Sequence, residues 1–358
     1  MEFLSKMNNQ LSFGKISLEI LRELLNNRGY DRTTGIIQPA ELGVDVAVLD
    51  LQMIKDEINS FYNTSSTPYL VYKADPITFP TPNPSRYLII VNQNDLSTSG
   101  AIPFGVTVSI IIPQNTTKAK LLDIQKKLSE TCIERKITIL GGHTEVSESC
   151  NKPILSASML GFVPPEYYIP RLPQTGDAII CSGWVGAEGT SIILSESSKT
   201  FKDSLGKSLV LFGMNLGENL DVSKRVLSCN KKWHDAIHMV HDATEGGIFG
   251  ALYECLINKG LGCNIELSKI PVAPVTKILG EMLDFNPYEL ISSGAILLFC
   301  DNRYASDIVE ELNKEDIPAA IIGYARKELD NIRINKTTLL PPKSDQIIVA
   351  LENLSKFS

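Results

Sequence analysis

Between residues 118 and 135 apolar side chains recur at Leu121, Ile124, Leu128 and Cys132, with lysines and glutamates on the other side. That spacing predicts an amphipathic helix over Lys118 to Arg135. A second apolar stripe at positions 16, 20, 21 and 24 predicts a helix that stops at Asn26-Asn27-Arg28-Gly29. Short apolar runs predict strands at Asp45–Leu51, Tyr69–Tyr72, Tyr87–Val91, Val106–Ile112, Ile137–Leu140 and Ile154–Val163. The polar, Ser/Thr-rich stretch Asp56–Pro68 is expected as a loop. Pro76, Pro80, Pro82 and Pro84 predict irregular chain after it.

Pro164-Pro165, Pro170 and Pro173 form the strongest break in this pattern and place a domain junction near residues 164–175. The expected division is an N-terminal domain over 1–165, a C-terminal domain over 170–335 and a tail over 336–358. Beyond the junction, Ala178–Cys181, Ala295–Cys300 and Ala319–Ile322 read as strands, and Ile248–Leu256 and Ala305–Leu312 as helices. Strands and helices alternate in both halves without clean βαβ repeats, which predicts a mixed-sheet α+β or α/β architecture.

Composition adds limits. The 358 residues, 43% hydrophobic and 21% charged, suffice for two ordinary cores without disulfides or a structural metal. A net charge of -7 opposes non-specific binding to nucleic acid or an anionic membrane, so neither is an expected partner. Phosphate would have to be bound locally, by backbone N–H groups, a few cations or a metal ion. Seven cysteines without a C-x-x-C pair suggest free thiols in a reducing compartment. Met1 to Lys6 lack the basic-then-apolar pattern of a signal peptide, and no apolar run reaches membrane-span length, so a cytoplasmic protein is expected. Asn63, Asn115 and Asn335 are then chance matches to the glycosylation pattern.

Candidate chemistry lies in short acidic motifs. Four fall in the first half, each read as the end of a strand: Gly43-Val44-Asp45-Val46-Ala47-Val48, Lys73-Ala74-Asp75-Pro76-Ile77-Thr78, Asn92-Gln93-Asn94-Asp95 and Gly141-Gly142-His143-Thr144-Glu145. Singly, each Asp reads as a turn former or cap. Together, four carboxylates with few neighbouring cations call for a divalent ion, and Mg²⁺ is usually held by carboxylates plus substrate phosphates. A fifth motif, His241-Asp242-Ala243-Thr244-Glu245-Gly246-Gly247, precedes the predicted helix from Ile248. Asp242 or Thr244 can cap that helix, whose N-terminus attracts an anion. Gly183-x-x-Gly186-x-x-Gly189 follows a strand but is not the dinucleotide fingerprint, and reads as a tight turn.

In order along roughly residues 10–325, these motifs resemble the aminoimidazole-ribonucleotide-synthetase (AIR synthase, PurM-like) superfamily. Within it they are most similar to HypE-like hydrogenase expression/formation proteins and archaeal AIR-synthase-related proteins. Gly14-Lys15, Ile270-Pro271-Val272 and Ile291-Ser292-Ser293-Gly294-Ala295 support that subgroup. The resemblance implies a two-domain α+β fold. The N-terminal mixed sheet would pair with a second subunit's to give a homodimer with a β-barrel-like core, flanked by a C-terminal α/β sandwich-type domain. It implies ATP and Mg²⁺ as cofactors and an ATP-dependent transferase or ligase-like enzyme. The substrate would be a small molecule or carboxamide, activated by phosphoryl transfer, and a maturation-type protein partner is implied too. By motif position, Asp45, Asp75, Asp95 and Glu145 would be metal ligands, and Asp95 and Asp242 catalytic. Lys73, Gly141, Gly142, His143, Thr144, Gly246 and Gly247 would contact the nucleotide.

Val44-Asp45 stands where the family often has two acidic residues, and Ala74-Asp75 where it has Thr-Asp. Leu354-Ser355-Lys356-Phe357-Ser358 carries no terminal cysteine, which counts against the HypE route to cyanide ligands. The alternatives are a nucleotide-binding regulatory or scaffold protein without turnover, and a purely structural dimer. His234, His238 and His241 would share a zinc-binding face only on a continuous helix, but Met239-Val240 reads as strand.

Overall fold

The computed structural model describes residues 11–32, 34–314, 316–329, 331–335 and 337–357. They form two compact units. The first holds the described residues of Met1–Leu96 with Ala101–Pro165, the second Ser97–Gly100 with Glu166 onward. The elements in chain order begin with β1 (Gly14–Lys15), α1 (Leu18–Leu25), β2 (Ile36–Gln38), β3 (Val48–Leu49), α2 (Leu51–Tyr62) and β4 (Tyr69–Ile77). They continue with α3 (Pro84–Ser97), β5 (Ile102–Pro113), α4 (Lys118–Arg135), β6 (Thr138–Ser147) and β7 (Ile154–Val163). The second unit adds β8 (Ala178–Ser182), α5 (Ala187–Glu196), α6 (Lys199–Leu205), α7 (Lys207–Leu216), α8 (Ser223–Trp233) and β9 (Ile237–Ala243). Then come α9 (Gly247–Leu256), β10 (Gly262–Ile265), α10 (Pro274–Leu283), β11 (Ala295–Cys300), α11 (Ala305–Asn313), β12 (Ala319–Arg326), β13 (Ile332–Ile334), β14 (Thr337–Thr338) and α12 (Gln346–Leu354).

The first unit is built on a five-stranded mixed sheet ordered β1-β6-β5-β7-β4. β5 and β6 are parallel, and β7 is antiparallel to both β5 and β4. Val106, Val108, Ile110 and Ile112 alternate inward along β5 and are buried. Leu121, Ile124, Leu128 and Cys132 of α4 are buried, as their spacing predicts, and Thr117 caps that helix by accepting the Lys120 N–H at 3.2 Å.

Four expectations fail here. Tyr87–Val91 is not a strand but the middle of α3, where Tyr87, Leu88, Ile89 and Ile90 are all buried. A short helix turn apolar all round has no periodicity that separates it from a buried strand. Asp56–Pro68 is not a loop throughout, and Asp45–Leu51 is not one strand: only Val48–Leu49 is extended, and α2 runs to Tyr62. Asp50 starts α2 by accepting the N–H groups of Gln52 and Met53 at 2.9 and 3.1 Å, and Ile54, Ile58 and Tyr62 bury one stripe. The prolines do not exclude regular structure. Pro76 lies in β4, an edge strand where a missing N–H costs little, and Pro84 opens α3 at a position that needs no N–H.

The second unit carries a seven-stranded sheet, ordered β14-β13-β10-β12-β8-β11-β9. One face packs on α9 through Ile248, Phe249, Leu252, Cys255 and Leu256. The other packs on α8 and α11 through Val226, Cys229, Ala305, Ile308 and Leu312. Cys181, Leu297 and Phe299 are buried on the α9 face and Ile180, Ile296 and Leu298 on the other, which is why these strands read as continuous apolar runs. Beyond residue 336, α12 packs on α5 and α10 and buries Ile347, Ala350 and Leu354. Among the described residues, no helix is long and apolar enough to cross a membrane. Six of the seven cysteines are buried, and all are free.

Candidate functional site

In the first unit, β4 places Lys73 and Asp75 on one face, two residues apart. The last turn of α3 brings Asp95 to the same point. The Lys73 ammonium lies 2.8 Å from Asp75 Oδ2 and 3.1 Å from Asp95 Oδ2. Desolvation alone would depress its pKa, but the two carboxylates outweigh it and hold the group above its ordinary value. Asn92 fixes the geometry: its Oδ1 accepts the Asp75 N–H at 3.1 Å, and its Nδ2 donates to Leu88 O at 2.8 Å. The motif Asn92–Asp95 therefore lies on a helix, and Asp75 inside a strand, not at strand ends as expected. Lys73, read as a phosphate contact, is an ion-pair partner of two predicted metal ligands.

Gly141 to Glu145 also lies inside a strand, β6. Alternation sends His143 and Glu145 to one face and Gly142 and Thr144 to the other. His143 Nε2 is 3.1 Å from Glu145 Oε2. Gly142 pairs with Val108 so closely that a Cβ would sit 1.9 Å from the Val108 carbonyl oxygen. Gly141 to Thr144 line a cavity of about 360 Å³ with Lys15, Arg28, Glu41 and Asp45, floored by apolar residues of α1 and β5. The structure thus brings Asp45 and the Gly-Gly segment together, and Asp75 and Asp95 together elsewhere. Among the described residues no three His, Cys, Asp or Glu side chains gather closely enough to hold a metal ion, so Asp45, Asp75, Asp95 and Glu145 do not form one cluster.

In the second unit three loops meet: 183–189, 244–247 and 290–294. The Gly186 N–H donates to Ser292 Oγ at 2.7 Å, Gly189 N–H to Ile291 O at 3.1 Å, and Ser292 N–H to Thr244 O at 3.2 Å. Asp242, near the end of β9, is 2% exposed, and its Oδ2 has no hydrogen-bond partner. An orphaned buried carboxylate oxygen is costly and marks a place for a ligand, ion or water. Neither Asp242 nor Thr244 caps α9. Its N-cap is Gly246, whose N–H is taken at 2.8 Å by Asp345, far along the chain.

Three buried polar residues escaped the sequence reading: Asp345, Glu188 and Arg225. The Arg225 guanidinium donates to the carbonyls of Gly294 and Ser182. Only Glu188 had a local signal, an acid inside the glycine-spaced turn. The histidines do not share a helix: His234 caps the end of α8, while His238 and His241 are on β9. His238 Nδ1 is 2.8 Å from Asp177 Oδ1, and His241 Nε2 is 2.8 Å from Glu254 Oε2.

Two family models match this chain: the N-terminal domain of AIR synthase related protein over residues 69–163, and the C-terminal domain of the same family over 174–333. The chain belongs to the AIR synthase related family. A hydrogenase expression/formation protein of Methanocaldococcus jannaschii is 29% identical to this AIR synthase related chain, over 71% of it and 73% of the relative. The carbamoyl dehydratase HypE of Escherichia coli strain K12 is 24% identical, over 78% and 80%. Among solved structures, E. coli HypE, a hydrogenase maturation protein, matches with a TM-score of 0.74 at 20% identity, covering 93% of this chain and 99% of that one. HypE in complex with ATP matches at 0.66 and 19% identity, covering 86% and 84%. The two-domain AIR-synthase-like fold is therefore the fold of this chain.

Proposed function

We propose that this AIR synthase related protein is a Mg-ATP-dependent enzyme that activates a carboxamide or another small molecule through phosphoryl transfer. The observation that carries the reading is the pair Asp75 and Asp95, held 2.8 and 3.1 Å from one ammonium. A conformation-fixed pair of hard oxygen donors, bridged by a replaceable cation, fits Mg²⁺ bound through carboxylates and phosphates. Family membership supports it: one relative is named carbamoyl dehydratase, and one solved relative holds ATP. Relatives that are enzymes count against a scaffold without turnover.

The residues fit the group by type. Asp75 and Asp95 would hold the metal; Asp45 and Glu145 lie apart from them and are not ligands of the same ion. The backbone of Gly141 to Thr144, approachable because Gly142 lacks a Cβ, would meet phosphate oxygens. Lys73 would move from bridging two carboxylates to balancing phosphate charge. Bound ATP would supply an activated phosphoryl group, and Mg²⁺ would neutralise charge on it. The chain's own contribution is positioning and electrostatics. Asp242, with an oxygen free of protein partners, would orient the reacting end of the substrate.

We also infer a homodimer. β4 ends the sheet, and its exposed positions include Leu70 and Tyr72, 62% and 65% exposed. An open, apolar edge strand is a template for a second sheet. A maturation-type protein partner fits the relatives' names, one of which is a hydrogenase maturation protein.

The test is ADP formation, followed by phosphorus NMR, with Mg-ATP and a panel of primary carboxamides. ADP that appears only with a carboxamide is expected. Nucleotide binding with no ADP under any carboxamide would contradict the enzymatic part.

A further inference from the structure

The chain from Arg28 to Tyr30 is pinned along β6: the Ile139 N–H donates to Arg28 O at 3.0 Å, and the Tyr30 N–H to Ile137 O at 3.0 Å. Gly29 lies so close to α4 that a Cβ there would sit 2.7 Å from Cys132 Cβ. Beside this stretch is a second cavity of about 230 Å³, whose lining includes Asn26, Arg28, Tyr30, Asp31, Arg32 and Thr138. Arg28 also lines the larger cavity next to Gly141. The Arg32 side chain is 7% exposed. Its guanidinium lies 4.3 Å over the Phe104 ring, its Nη1 pairs with Glu57, and its Nη2 donates to Lys136 O at 2.8 Å. None of those three partners lines the cavity. The remaining donor, Nε, is buried and has no hydrogen-bond partner. A guanidinium cannot shed its proton, so a buried N–H without an acceptor has a cost that a ligand oxygen would offset. Arg28 spends one bond, from Nη1 to Ala40 O at 3.1 Å, and forms no ion pair among the described residues. That leaves its Nε–Nη2 edge, which takes a carboxylate through two parallel bonds.

We propose that this cavity is a binding site for the carboxylate of a small monoanionic molecule. The Arg28 Nε–Nη2 edge supplies two bonds and Arg32 Nε a third. Charge selects a monoanion: Glu57 already neutralises Arg32, and the Asp31 carboxylate on the cavity wall repels a second negative charge. Because Arg32 is held by Phe104, Glu57 and Lys136, little side-chain freedom is lost when the anion binds. The site goes beyond the nucleotide reading and does not depend on it: none of its residues belongs to the Asp75–Asp95 pair or to the Gly141–Thr144 segment.

The experiment is proton–nitrogen NMR of the full chain labelled with nitrogen-15 arginine, following the Arg32 Nε–H signal. Its loss in Arg32→Lys assigns that signal, and a through-space contact to the Phe104 ring assigns it in the wild type should Arg32→Lys not fold. Sodium acetate is the probe, with sodium chloride at equal ionic strength as the control. The expected result is a saturable shift with acetate that chloride does not produce. In Arg28→Lys, which keeps the charge but loses the two-bond edge, the acetate midpoint is expected to rise about 10-fold or more. An acetate shift no larger than that with chloride, or a midpoint unchanged in Arg28→Lys, overturns the proposal. A response to inorganic phosphate with none to acetate overturns the assignment to a carboxylate.

Discussion

Asp345 Oδ2 accepts the Gly246 N–H at 2.8 Å, joining the start of α12 to the start of α9. Its other oxygen accepts the N–H groups of Ile347 at 2.7 Å and Ile291 at 3.2 Å. One buried carboxylate thereby holds two of the three loops of the second unit's candidate site and caps its own helix. Burial pushes its pKa up more than these three bonds pull it down, so part of their worth is spent on desolvation. Asp345→Ala is expected to cost about 2–4 kcal/mol, because three N–H groups lose a charged acceptor at once. Urea denaturation measures this; a loss below about 0.5 kcal/mol, the scale of a surface substitution, would show that water replaces the carboxylate.

Gly142→Ala tests the close pairing of β5 and β6. The added Cβ would fall 1.9 Å from the Val108 carbonyl oxygen, which is backbone and cannot swing aside, and Gly142 also has a φ of 153°. A loss of about 3 kcal/mol or more is expected, comparable to severe overpacking. Thermal unfolding of the purified variant decides it, and a melting temperature within a degree or two of wild type would contradict the pairing.

Lys73→Ala removes the cation between Asp75 and Asp95. The site is half exposed, so screening limits the loss to about 1 kcal/mol. Added magnesium is expected to restore the melting temperature of the variant more than that of wild type, since it can replace the ammonium. Equal magnesium responses would argue that the two carboxylates do not share an ion.

Glu188 gives the protein a specific pH response. Its carboxyl rises from 4.5 to about 7 in the folded state, through burial first and the nearby carboxylates second. Between those values the unfolded chain has released its proton while the folded chain keeps it. The folded state then binds more protons, so stability falls as pH rises from about 4.5 to 7 and levels off above. The span is worth at most about 3 kcal/mol. Glu188→Gln, which cannot ionise, is expected to remove that fall. Urea midpoints across this range check it; parallel wild-type and variant curves would contradict it.

The sequence spoke clearly where a pattern was long or one-sided. The stripe of Leu121, Ile124, Leu128 and Cys132 marked α4, and the alternating or continuous apolar runs of β5, β7, β8 and β11 marked the sheets. It misled at Tyr87–Val91, since a helix buried on all sides loses its period. At Asp56–Tyr62 a helix with a polar outer face passed for a loop because its cap, Asp50, was read as strand. For the site, the ordered motifs carried the family, and Asp75, Asp95 and Lys73 do meet. Asp345 and Arg225 were invisible because their partners are distant in sequence: no local spacing records that residue 345 caps a helix beginning at Gly247.

The most direct test of the central claim is calorimetric titration of the wild-type chain and Asp95→Asn with AMPPNP, with and without magnesium. Asp95 is 17% exposed at its side chain and pairs with Lys73 at 3.1 Å, so the isosteric change removes charge with little loss of packing. The account predicts magnesium-dependent binding near one site per chain, weakened about 10-fold or more in Asp95→Asn, which corresponds to about 1.4 kcal/mol. Binding that is absent, or indifferent to both magnesium and Asp95, would contradict it.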